Sequence, residues 1–90
     1  MTETAEARLK RLSMRSWRRG TKEMDLVFGP WSDAHLAAAD EPTLAAYDRL
    51  LNENDQDLAA WIVGQQPAPV EHAALLDRIG RFARARLTKG

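Results

Sequence analysis

The sequence predicts an all-α protein, a small antiparallel bundle of about five helices in a single domain. Three observations carry this expectation. Apolar residues recur at spacings of three and four; no segment sustains the period-2 alternation of a half-buried strand; and the periodic stretches are punctuated by capping residues, prolines and glycines. Ninety residues suffice for one modest core and leave no room for a second domain.

The first segment, Glu3 to Arg19, aligns Ala5, Leu9, Leu12 and Ser16 as a narrow apolar stripe, with Trp17 beside it as a core or rim residue. Arg18 and Arg19 suit a final helical turn, where positive charge complements the partial negative charge of the dipole. Gly20 is expected to adopt φ > 0 and stop the helix. With Gly20 as N-cap of the next helix, Glu23 falls at N3, beside unpaired backbone N–H groups.

That second helix, Thr21 to about Ala38, carries Met24, Val27, Phe28 and Trp31 at i, i+3, i+4 and i+7. Gly29-Pro30 predicts a kink near residues 26–30. Trp31 and Leu36 continue the same face, so one bent helix is expected in place of two. His35 reads as a surface or capping residue.

Asp40 is a natural N-cap, with Glu41 and Pro42 in the first turn of a third helix that runs to about Asn52. It buries Leu44, Tyr47 and Leu51, with Leu50 alongside. Asn54 as N-cap and Asp57 at N3 open a short fourth helix carrying Leu58, Trp61 and Ile62, ended by Gly64. Trp61 is expected on the buried face. After the connector Gln65 to Pro69, a last helix from Val70 places Leu75, Ile79 and Phe82 on one side and ends in Arg81, Arg84 and Arg86. The ends, about 1–4 and 86–90, are expected to fray.

Composition excludes several function classes. With no cysteine and two widely separated histidines, His35 and His72, neither a disulfide framework nor a His/Cys zinc site is expected. There is no apolar leader and no run of 18 apolar residues. A cytoplasmic bacterial protein without membrane insertion is expected. Net charge is zero but unevenly spread: seven Lys/Arg against three Glu in residues 1–23, one Arg against eight acids in 24–60, and five bases against two acids beyond. Such polarity steers encounter with a complementary protein, whereas the acidic middle disfavours nucleic acid. No Ser-His-Asp set, phosphate loop or G-x-G-x-x-G motif is present. No catalytic residues, no metal and no cofactor of its own are therefore expected, which leaves a binding module.

The stretch Arg18-Arg19-Gly20-Thr21-Lys22-Glu23-Met24-Asp25 reads both as a helix corner and as a contact surface. Arg19-Gly20-Thr21-Lys22-Glu23 matches the Arg-Gly-x-x-Glu motif of the succinate dehydrogenase assembly factors. Tyr47-Asp48-Arg49-Leu50-Leu51 and Asn54-Asp55-Gln56-Asp57-Leu58-Ala59-Ala60-Trp61 are similar to their second block. The resemblance covers about residues 8–83. It implies a small helical bundle that binds the flavoprotein subunit of succinate dehydrogenase or fumarate reductase and promotes covalent attachment of FAD to a partner histidine.

On the same footing, the resemblance implies a partner-binding face at Arg19, Gly20 and Glu23. Arg18 and Asp25 flank the motif, and Arg15 extends the face. Asp55 and Asp57, most simply helix-dipole compensation, form a secondary candidate that would receive a partner's arginine. A toxin-neutralising or regulatory helical adaptor without a flavin role is the alternative. A nucleic-acid-binding bundle comes next. A salt-independent complex with a flavoprotein, without a DNA mobility shift, separates these readings.

Overall fold

The computed structural model describes residues 2–88. Five helices, α1 (Ala5–Ser16), α2 (Lys22–His35), α3 (Glu41–Leu50), α4 (Asp55–Val63) and α5 (Val70–Thr88), with a 3-10 turn over Leu36–Ala38 after α2, account for the described secondary structure. The all-α bundle expected from the sequence is the fold. Residues Met1, Lys89 and Gly90 of the expected frayed ends lie outside the described residues. Within them, Thr4 caps α1 by accepting from the Ala7 N–H, and α5 continues to Thr88.

Local chemistry accounts for most boundaries. Asp40 accepts from the Thr43 N–H at 3.0 Å and starts α3. Asn54 and Asp57 form a reciprocal pair: the Asp57 N–H donates to Asn54 Oδ1 at 2.9 Å, and the Asn54 amide donates to Asp57 Oδ2 at 2.9 Å. Gly64 ends α4 in the left-handed region at φ 82°, where a Cβ is penalised. Helix α2 runs unbroken through Pro30. Pro30 has no N–H to offer the Leu26 carbonyl, and Leu26 lies on the outer side of the helix, 54% exposed.

Helix α2 packs against both α1 and α5, and α5 also packs on α3 and α4. Leu12, Met24, Phe28, Trp31, Leu36, Tyr47, Leu50, Leu51, Leu58, Leu75, Leu76 and Ile79 form the core. At its centre the Tyr47 ring stacks on Trp31 at 4.9 Å and tilts against Phe28 at 6.2 Å. The Tyr47 hydroxyl bonds to Ser16 Oγ, which itself donates to the Leu12 carbonyl. A buried phenol needs such a partner, and here the partner fastens α3 to α1. Burial pushes the phenol's pKa up from 10.0 to about 12.

Four expectations are corrected. Helix α1 stops at Ser16 instead of Arg19: Trp17 closes it by donating to the Ser13 and Met14 carbonyls, and the chain then leaves along 17–21. Gly20 is not in the left-handed region; among the described residues Gly64 alone is. The corner is spread over five residues, so no single one must reverse the chain. Thr21, in place of Gly20, is the N-cap of α2, its Oγ1 accepting from the Met24 N–H at 3.3 Å, which puts Glu23 at N2 in place of N3. Finally, Trp61 packs against the core but is only half-buried: it sits at the margin beside Ile62, Ala68 and Leu76, with the His72 ring 6.0 Å away.

Candidate functional site: the corner between α1 and α2

The corner is built inward from Arg19. Its guanidinium donates from Nε to Asp55 Oδ1 at 2.9 Å, from Nη1 to the Leu51 carbonyl at 2.7 Å and from Nη2 to the Glu53 carbonyl at 2.8 Å. Nη2 also lies 2.8 Å from Asp55 Oδ1, and both side chains are only 9% exposed. Beneath it the Phe28 ring centroid lies 5.9 Å from the guanidinium carbon. Asp55 uses its second oxygen on the corner backbone, accepting from the Thr21 N–H at 2.8 Å. Asp25 accepts the Arg19 N–H. A Cβ on Gly20 would stand 3.3 Å from Asp55 Oδ2, so the glycine lets the chain pass close over that carboxylate.

Arg19, Gly20, Asp25 and Asp55 are thus brought together, but as a latch within the chain. The side chains of Arg19 and Asp55 face each other, not outward, and Asp55 already holds an arginine, the chain's own. Asp57 stands apart and is satisfied by the Asn54 cap.

What faces outward is different. Arg18, Gly20, Thr21, Lys22 and Glu23 are exposed. Among the described residues the side chains of Arg18 and Glu23 have no hydrogen-bond or ion-pair partner. Beside them lies a groove of about 450 Å³ lined by Arg11, Met14, Arg15, Arg18, Arg19, Gly20 and Leu51.

Its arginines are held unequally. Arg11 binds Asp48 at 2.8 and 3.0 Å and Glu3 at 2.8 and 2.9 Å. The bond to Asp48, then that to Glu3, raises the guanidinium's pKa, and the Asp48 carboxyl is correspondingly held below its ordinary value, first by its bond to Arg11. Arg15 donates to the Leu51 carbonyl at 2.9 Å and Asn52 Oδ1 at 3.1 Å. Arg18 is therefore the lining arginine whose charge is left to a visitor. An acidic or carbonyl-bearing surface fits such a groove. No group of three or more His, Cys, Asp and Glu suited to a metal occurs among the described residues.

Sequence reasoning missed two parts of this construction. The carbonyls of Leu51 and Glu53 act through the backbone and leave no mark on residue type. Gly29 seats the Trp17 ring: a Cβ there would lie 2.3–2.6 Å from the indole carbons, and the indole N–H reaches Asp33 at 3.2 Å. The signal was a glycine in mid-helix, where it weakens the helix unless something needs the space.

The sequence profile described as "Flavinator of succinate dehydrogenase" matches residues 10–83, which include the corner, the α3–α4 turn and most of α5. Among curated relatives, the mitochondrial succinate dehydrogenase assembly factor 2 of Schizosaccharomyces japonicus is 37% identical over 70 residues, covering 78% of this chain and 48% of the relative. The zebrafish (Danio rerio) protein of the same name is 32% identical over 87 residues, covering 93% and 55%. That of Mycosarcoma maydis is 30% identical over 81 residues, covering 90% and 34%. The chain spans between about a third and just over half the length of these three relatives. With the match extending over most of its length, the chain belongs to the flavinator of succinate dehydrogenase family.

Proposed function

We propose that this protein binds the flavoprotein subunit of succinate dehydrogenase, or the related subunit of fumarate reductase, and promotes covalent attachment of FAD to a histidine of that subunit. The observation that carries this reading is the division of labour in the Arg-Gly-x-x-Glu motif: Arg19 is latched inward on Asp55, while Gly20 and Glu23, with the flanking Arg18, are left exposed on the resulting edge. Such an edge is already ordered before a partner arrives, so less conformational freedom is lost on binding.

The chemistry then resides in the partner and its flavin. This chain acts as an assembly factor by binding more tightly to the attachment-competent form of the subunit. A differential affinity of about 3 kcal/mol raises that form's population roughly a hundredfold when it is rare. The cytoplasmic setting read from the sequence belongs to this proposal, and the relatives are named mitochondrial. No helix among the described residues is long and apolar enough to cross a membrane.

The test mixes purified apo flavoprotein subunit and FAD with and without this protein, and follows flavin fluorescence in denaturing gels. A fluorescent band at the subunit's mass, appearing faster with this protein, is expected. Covalent flavin on this chain, or an unchanged rate, would overturn the reading.

A further inference from the structure

On the other side of the corner a second groove, of about 460 Å³, runs between α2 and α5 and is lined by Glu23, Leu26, Val27, Ala83 and Arg86. Its floor is apolar. Leu26 is 54% exposed, off the face that Met24, Phe28 and Trp31 bury, and Val27 is half-buried beside it. Its two charges, Glu23 from the first turn of α2 and Arg86 from the last turns of α5, line the same groove without forming an ion pair with each other or with any other described residue. An apolar strip flanked by one unpaired acid and one unpaired base is the surface that an amphipathic helix fills, with anchors at i and i+3 or i+4 and complementary charges to either side.

We infer that this groove holds an amphipathic helix of the flavoprotein partner, carrying a base opposite Glu23 and an acid opposite Arg86, as the second half of the docking surface. The inference rests on the function proposed above. Continuity favours this occupant: Glu23 closes the motif whose exposed Gly20, with the flanking Arg18, lines the basic groove, so one partner lying across the corner meets both. Area argues against a second copy of this chain. A stable interface covers about 800 Å² per partner, more than the five described lining residues supply, so the groove is an extension of a larger contact.

The test measures affinity of the purified apo flavoprotein subunit for wild type, Leu26→Gln, Arg86→Glu and the control Val70→Gln. Val70 is 97% exposed and lies outside both grooves. Glutamine is a good helix former, so thermal melts should be unchanged. Leu26→Gln is expected to weaken binding about tenfold and Arg86→Glu about threefold at low salt, with Val70→Gln within about twofold of wild type. Binding of Leu26→Gln equal to wild type, or an equal loss in Val70→Gln, would overturn the inference while leaving the proposed function standing. A wild-type dimer that Leu26→Gln dissociates in sedimentation would reassign the groove to a second copy and overturn it too. If wild type itself fails to bind the subunit, the proposed function falls and takes this inference with it.

Discussion

Arg19 and Asp55, 36 residues apart in the chain, meet at 2.8 Å with each side chain only 9% exposed. A charge pair this sheltered is worth little over a well-packed apolar pair, but removing one member strands the other. Arg19→Ala or Asp55→Ala should therefore lower stability by about 3–5 kcal/mol, a large share of the roughly 5–10 kcal/mol that a chain this size has. Urea titration followed by circular dichroism checks this. Arg19→Lys should recover only part, because one ammonium cannot span Asp55 and two separated carbonyls.

Glu23 is the opposite case, exposed and without a side-chain partner among the described residues. Glu23→Ala should change stability by no more than about 0.5–1 kcal/mol, the value of a carboxylate in a first helical turn, yet should slow covalent flavin attachment at sub-saturating protein. Comparing urea midpoints with attachment rates for Glu23→Ala and Arg19→Ala separates the outer role from the inner one. Equal attachment rates for Glu23→Ala and wild type would remove Glu23 from the contact.

Gly29→Ala should destabilise the protein despite the better helix propensity of alanine. The gain is about 1 kcal/mol, whereas a methyl 2.3 Å from the Trp17 ring must push that ring out, a change that costs about 1–3 kcal/mol. A red-shifted tryptophan emission together with a lower melting temperature is the expected signature. A Gly29→Ala variant that melts higher than wild type would show that the indole finds another seat easily.

Stability should fall in acid, and Asp48 should contribute to the fall. Its carboxyl is held below its ordinary value of 3.8, first by the hydrogen bond from Arg11. A depressed folded value means that the unfolded chain takes up the proton first, so the stabilisation is fully present above about pH 5 and is lost as pH drops through 3.8 and below. Asp48→Asn should be less stable than wild type at pH 7 and lose less between pH 5 and pH 3, as measured by melts across that range. Parallel pH curves for the two proteins would count against the pair's contribution.

The helices were legible because their signals are local. Asp40, Asn54 and Gly64 each act within three or four residues of themselves, and the stripe Met24, Phe28, Trp31 needs only the helical period. The corner was legible as a place but not as a mechanism. A basic pair followed by glycine fits a helix C-terminus so well that Arg19 was assigned to one. Its actual partners, Asp55 and the Leu51 and Glu53 carbonyls, lie more than 30 residues downstream, beyond any period or cap rule. Likewise, spacing placed Trp61 on an inner face, where it packs against the core, but did not reveal that it sits at the margin while Trp31 and Tyr47 occupy the centre.

The latch also makes the shape of the corner depend on a distant part of the chain. Arg19 must find the α3–α4 turn across 32–36 residues, and closing so long a loop is entropically unfavourable until α3 and the start of α4 have been made. The edge that carries Arg18, Gly20 and Glu23 is thus fully shaped only once the α3–α4 turn is in place. A half-folded or locally opened chain then has the motif in its sequence but not in space, and on the function proposed above it would not occupy the partner prematurely.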